Sequence, residues 1–129
     1  DFSFSGLKSA VLNHINHAHM MGEEINVPDL MASFQYAVVD VLTSHAVEAA
    51  KNLGYDKVAI AGGVASNSAL RAEMKEACEK AGLKFYYPSP IFCTDNAAMI
   101  GVAGYYEYIN GTRSGLDLNA VPNLKLGER

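Results

Sequence analysis

Between Lys57 and Leu70 the chain reads Lys-Val-Ala-Ile-Ala, then Gly62-Gly63-Val64-Ala65-Ser66-Asn67, then Ser68-Ala69-Leu70. Five mostly apolar residues with two β-branched members fit a short buried strand. Gly62 and Gly63 let the backbone turn sharply and approach a ligand with no Cβ in the way. Ser66, Asn67 and Ser68 supply acceptors that start helices. Leu70, Met74, Ala77, Cys78 and Ala81 then recur at helical spacing. Strand, glycine turn and helix N-terminus in this order bring free N–H groups and the positive end of a helix dipole to one place, which suits an anion. Many such units bind nothing, so the turn by itself leaves a ligand site and a plain connection equally open.

At 129 residues the chain is one domain's worth and can bury a real core. Its 50% hydrophobic and 19% charged residues are those of a soluble globular protein. A net charge of −4 gives no electrostatic footprint for nucleic acid, so such a partner needs a local patch or another chain. No apolar run approaches membrane-span length, and the opening residues do not read as a signal peptide. Cys78 and Cys93 form neither a CxxC pair nor a disulfide framework, so a reducing cytoplasm is expected. The chain opens at Asp1-Phe2-Ser3-Phe4-Ser5-Gly6 without an initiator Met and reads as a piece of something longer.

Leu7, Ala10, Val11, His14, Ile15 and Ala18 predict a first helix after Gly6, ending near Gly22. Asn26, Pro28 and Asp29 predict the start of a long second helix with Leu30, Phe34, Ala37, Val38, Val41 and Leu42 on one face, stopping at Gly54. The third helix closes at Gly82, and Lys84 to Tyr87 is a second strand stopped by Pro88 and Pro90. A last helix is expected from Thr94 or Asp95 to Asn110-Gly111. Ala97, Gly101 and Gly104 give it a face of very small residues, suited to close backbone packing. Residues 112–129 show no periodicity and are expected to form an extended tail.

Strand, helix and strand over Lys57–Tyr87 imply a parallel pair joined by a crossover. Parallel neighbours send their C-terminal ends to one edge, where open α/β sheets bind ligands. That edge gathers the Gly62–Asn67 turn and the loop carrying Cys93-Thr94-Asp95-Asn96. A nucleotide phosphate with a metal would satisfy both the helix ends and the carboxylate. Asp95 and Asn67 also read simply as helix N-caps, each contributing about 1 kcal/mol. Cys93 is either a reactive thiol at a helix N-terminus or an inert buried one.

Phe2-Ser-Phe-Ser-Gly-Leu-Lys8, Ala61-Gly-Gly-Val-Ala-Ser-Asn67 and Cys93-Thr-Asp-Asn-Ala-Ala-Met-Ile100 together resemble the tRNA N6-adenosine threonylcarbamoyltransferases, a family formerly known as the O-sialoglycoprotein endopeptidases or glycoproteases. The resemblance implies an α/β fold: part of the C-terminal lobe of the two-lobed actin/Hsp70/sugar-kinase (ribonuclease H-like) architecture, helix-rich with a short parallel strand pair, over residues 1–111. It implies transfer of a threonylcarbamoyl group from threonylcarbamoyl-adenylate to N6 of the adenosine next to the anticodon in tRNA, with AMP leaving. Gly62 and Gly63 match the family's nucleotide loop, Asn67 a nucleotide contact, and Asp95 one ligand of a divalent iron or zinc. ATP or AMP is the related nucleotide ligand; a paralogous scaffold protein and an ATPase of the same pathway are the implied partners. Ser3 to Gly6 matches a motif near the cleft without an assignable role.

The family's other metal ligands lie in an HxxxH motif that this chain does not contain. His14, His17 and His19 have the wrong spacing to replace it. His14 lies on the apolar stripe and is expected to be buried and hydrogen-bonded, His14 with His17 being a weaker metal candidate; His45 is expected at the core or its boundary. Asp95 alone cannot hold a tight catalytic metal, so the chain by itself is expected to be inactive and, with its lobe-facing surface exposed, to self-associate. The competing functions are a metal-dependent glycoprotein endopeptidase, which no HExxH supports, a non-catalytic actin-like nucleotide-binding scaffold, and a plain ATPase or sugar kinase.

Overall fold

The computed structural model describes residues 4–125, so Phe2 and Ser3 of the opening motif and residues 126–129 of the expected tail lie outside the described residues. It divides into two compact units, the first ending at Thr94 and the second beginning at Asp95.

The first unit opens with α1 (Ser5–Met21) and α2 (Val27–Asn52). Asn26 starts α2 as its residue type predicts: its side chain accepts from the Asp29 N–H at 3.3 Å, with Pro28 and Asp29 in the first turn. Helix α1 ends at Gly22 in the left-handed conformation, with the Glu23 N–H reaching back to the Ala18 carbonyl at 2.9 Å. Strands β1 (Lys57–Ala59) and β2 (Lys84–Tyr86) flank α3 (Ser68–Ala81) and pair in parallel, Lys57 opposite Lys84, Val58 opposite Phe85 and Ala59 opposite Tyr86. Both strands are shorter than the apolar runs suggested, although the Ile60 N–H still donates to the Tyr86 carbonyl at 3.1 Å.

The core lies where α2, α3 and the strand pair meet. Val39, Ala50, Val58, Leu70, Met74 and Cys78 are buried there, with Leu42, Val47, Ile60 and Phe85 packed around them. Met74 and Cys78 have essentially no exposed surface, so the α3 stripe read from the sequence is its buried face. A side chain such as Met74 contributes about 2 kcal/mol by leaving water.

The two histidine expectations fail. His14 and His45 are both exposed. Among the described residues of α1 only Ala18 is buried, and the stripe residues Leu7, Val11 and Ile15 are half-buried. An open apolar groove of about 410 Å³ is lined by Val11, Leu12, Leu30, Met31 and Phe34, whereas His14 borders a separate opening with Glu23, Glu24 and Asp29. Periodicity gave the direction of His14 but not a neighbour to cover it.

The second unit holds α4 (Ala97–Ile109), and residues 112–125 contain neither helix nor strand. The helix begins later than Thr94 or Asp95 because Asn96, extended at φ −152° and ψ 152°, is the cap, accepting from the Met99 N–H at 3.0 Å. Among the described residues, a Cβ added at Gly101 or Gly104 would meet nothing within 4 Å, so none of them packs closely on the small face. Helix α4 is apolar nearly all round yet has no buried residue, a pattern that calls for a covering surface. Among the described residues no helix is long and apolar enough to cross a membrane.

Candidate functional site

Strand β1 runs into the glycine turn. Gly62 sits at φ 87° and ψ 175°, a region essentially reserved for glycine. Gly63 needs no such freedom; it opens a 3₁₀ turn, Gly63–Ser66, in which the Ala65 N–H donates to the Gly62 carbonyl and the Asn67 N–H to the Val64 carbonyl, both at 3.0 Å. The turn's apex is exposed at Gly62, Gly63 and Val64, whereas Ala65 is buried.

Asn67 does what a cap does. Its Oδ1 accepts from the Leu70 N–H at 3.0 Å and its Nδ2 donates to Gln35 Oε1 at 3.2 Å. Because a backbone N–H demands the oxygen, the amide is fixed with its nitrogen toward Gln35, and that nitrogen keeps a second proton. Asn67 can therefore offer a ligand the remaining Nδ2 proton as a donor. The Ser68 and Ala69 N–H groups, in the first turn of α3, have no acceptor within the helix. Beside them Met31, Phe34, Val38, Leu42 and Val64 line a cavity of about 370 Å³ with Asn67 and Gln35 as its amides, within the size range of small-molecule sites.

The residue that sequence reasoning missed is Arg71. Its Nε donates to the Ala65 carbonyl, its Nη2 donates to the Pro88 carbonyl at 3.0 Å and to Cys93 Sγ at 3.1 Å, and its guanidinium lies over the Tyr87 ring at 4.7 Å. Arg71 thus joins the turn after β1 to the loop after β2, as the parallel topology predicts for two loops leaving one sheet edge. Cys93 is a buried thiol, 3% exposed, with the Arg71 guanidinium against its sulfur. No local pattern marks Arg71, because its partners lie on either side of the crossover at Ala65, Pro88 and Cys93.

Asp95 belongs to the second unit. It is exposed, it is not the cap of α4, and no hydrogen bond or ion pair of its carboxylate is seen among the described residues. Its reading as an N-cap is thereby corrected: Asn96, one residue on, takes that place. Among the described residues no three His, Cys, Asp or Glu side chains cluster as a metal site. A catalytic zinc-type ion takes about three protein ligands; a carboxylate such as Asp95 suits one oxygen position, and the described residues do not complete a set of three.

A family model described as TsaD, tRNA N6-adenosine threonylcarbamoyltransferase, matches residues 1–102. Curated relatives carrying the name tRNA N6-adenosine threonylcarbamoyltransferase include those of Clostridium botulinum strain Hall and Clostridium perfringens strain SM101. Each is 60% identical over 129 residues, covering 100% of this chain and 38% of the relative. The protein of that name from Clostridium botulinum strain 657 is 59% identical over the same span. The chain therefore spans 38% of the length of these relatives.

Proposed function

This chain belongs to the tRNA N6-adenosine threonylcarbamoyltransferase family, and from that premise we propose that it carries the nucleotide loop of an enzyme transferring threonylcarbamoyl from threonylcarbamoyl-adenylate to N6 of the adenosine next to the anticodon. The observation that carries this reading is the Gly62–Asn67 turn, where an exposed glycine apex, a donor amide and the N-terminus of α3 converge. The adenosine nitrogen attacks the carbamoyl carbon, the bond from that carbon to the phosphate oxygen breaks with its electron pair going to AMP, which leaves with an added negative charge, and the nitrogen releases one proton to water. Gly62 and Gly63 let the backbone approach the phosphate. The first-turn N–H groups of α3 and the Asn67 Nδ2 face the charge that develops on it.

Asp95 is the residue that would hold one divalent iron or zinc, with the remaining ligands from outside this chain; when bound, such an ion supplies Lewis acidity and orients the donor. Residues 1–111 would then be part of the C-terminal lobe of an actin-like, sugar-kinase-like fold, with 112–129 as its tail. The working setting is the cytoplasm, with tRNA, a paralogous scaffold and an ATPase as partners.

The test is threonylcarbamoyl transfer to tRNA by the full-length protein. Asn67→Ala and Asp95→Ala should each lower kcat/KM by about 100-fold or more, and the present chain alone should give no turnover. Transfer by the chain alone at the intact protein's rate, or full activity in both variants, would overturn the proposal.

A further inference from the structure

The Gly62–Asn67 turn has little of its own to hold it. Its apex is exposed, and the two hydrogen bonds inside it are local. What ties it to the rest of the unit on the side of the β2 loop is Arg71, which takes the Ala65 carbonyl with Nε and reaches Pro88 and Cys93 with Nη2. Ala65 lies between the glycine pair and Asn67, so a shift of its carbonyl moves both. The guanidinium is planar and presents its donors in a fixed fork, with Tyr87 against its face. A lysine ammonium carries the same charge without the fork and cannot reproduce this set.

We propose that Arg71 is a positioning residue: it sets the geometry of the nucleotide loop and links it to the loop leaving β2, so that the two hold the adenylate as one unit. The inference rests on the reading of the turn as the nucleotide site. It assigns Arg71 no contact with substrate; the residue acts through Ala65 and the Pro88–Cys93 loop.

The test uses the full-length protein, with AMP titrated by calorimetry and transfer measured against adenylate concentration. Arg71→Lys should raise the AMP Kd and the adenylate KM by about 10-fold, with kcat falling as well, because the groups that meet the phosphate lose their placement. Tyr87→Leu, which frees one face of the guanidinium, should raise Kd by about threefold and keeps the proposal testable if Arg71→Lys does not fold. A purely structural Arg71 would lower the thermal midpoint and leave Kd and KM in place; unchanged Kd in both variants overturns the inference. Asn67→Ala separates the two levels. If it weakens AMP binding and the Arg71 and Tyr87 variants do not, the positioning role alone falls. If Asn67→Ala leaves the AMP Kd unchanged, the turn is not the nucleotide site and both readings fall.

Discussion

Asn67 performs two tasks with two ends of one amide, so two substitutions should separate them. The cap bond from the Leu70 N–H to Oδ1 is 3.0 Å long and Leu70 is 4% exposed. Removing the acceptor in Asn67→Ala therefore leaves a backbone donor with little access to water, a cost near the upper end of the cap range, about 2 kcal/mol. Asn67→Asp keeps the acceptor and adds a negative charge at a helix N-terminus, which stabilises by about 0.5 kcal/mol. The Gln35 amide can turn to donate to the new carboxylate. Ligand binding runs the other way. Both variants lose the Nδ2 donor, a loss of about 1 kcal/mol. The aspartate also sets a charge against the phosphate, about 3 kcal/mol for unit charges ~6 Å apart at an effective dielectric of ~20. Stability should rank Asp at or above Asn, with Ala lowest, while AMP affinity should rank Asn, then Ala, then Asp. Thermal unfolding and AMP calorimetry on the full-length protein read the two orders. An affinity order that simply follows stability would refute the reasoning, because Asn67 would then be a cap and nothing more.

Three further outcomes follow from the same structure. Gly62→Ala should destabilise by about 1–3 kcal/mol, because its backbone region is closed to side chains, whereas Gly63→Ala should be close to neutral, with no positive φ and nothing within 4 Å of the new Cβ; thermal midpoints compare them. Thr43 is buried in α2 with its Oγ1 lacking a hydrogen-bond partner among the described residues, so Thr43→Val should raise stability by about 1 kcal/mol, and a clear loss in thermal unfolding would show that the hydroxyl is used. Burial pushes the Cys78 thiol above its ordinary value of 9.0. The unfolded chain then releases this proton first, so stability should fall as pH rises through about 9, and Cys78→Ala should flatten that part of the pH profile of the unfolding midpoint.

The elements were legible where one residue type has one local use. Asn26-Pro28-Asp29 starts a helix, Gly22 and Gly82 end two, and the apolar stripe of α3 falls on its buried face. Adjacent residues of equal aptitude were harder. Asp95 and Asn96 both cap helices well, and the extended backbone at Asn96, which no local pattern distinguishes, settles the choice. His14 shows that a periodic stripe defines a face and not its cover. Of the site, the glycine turn and Asn67 were visible as a motif. Arg71 was not, because its acceptors lie at Ala65, Pro88 and Cys93, up to 22 residues away, and meet only through the crossover.

The central claim is that the turn after β1 and the start of α3 hold the nucleotide. Amide hydrogen exchange of the full-length protein with and without AMP tests it directly. Slowed exchange is expected at the backbone amides from Gly62 to Ala69 when AMP is bound. Protection that appears elsewhere, with those amides exchanging as fast as before, would contradict it.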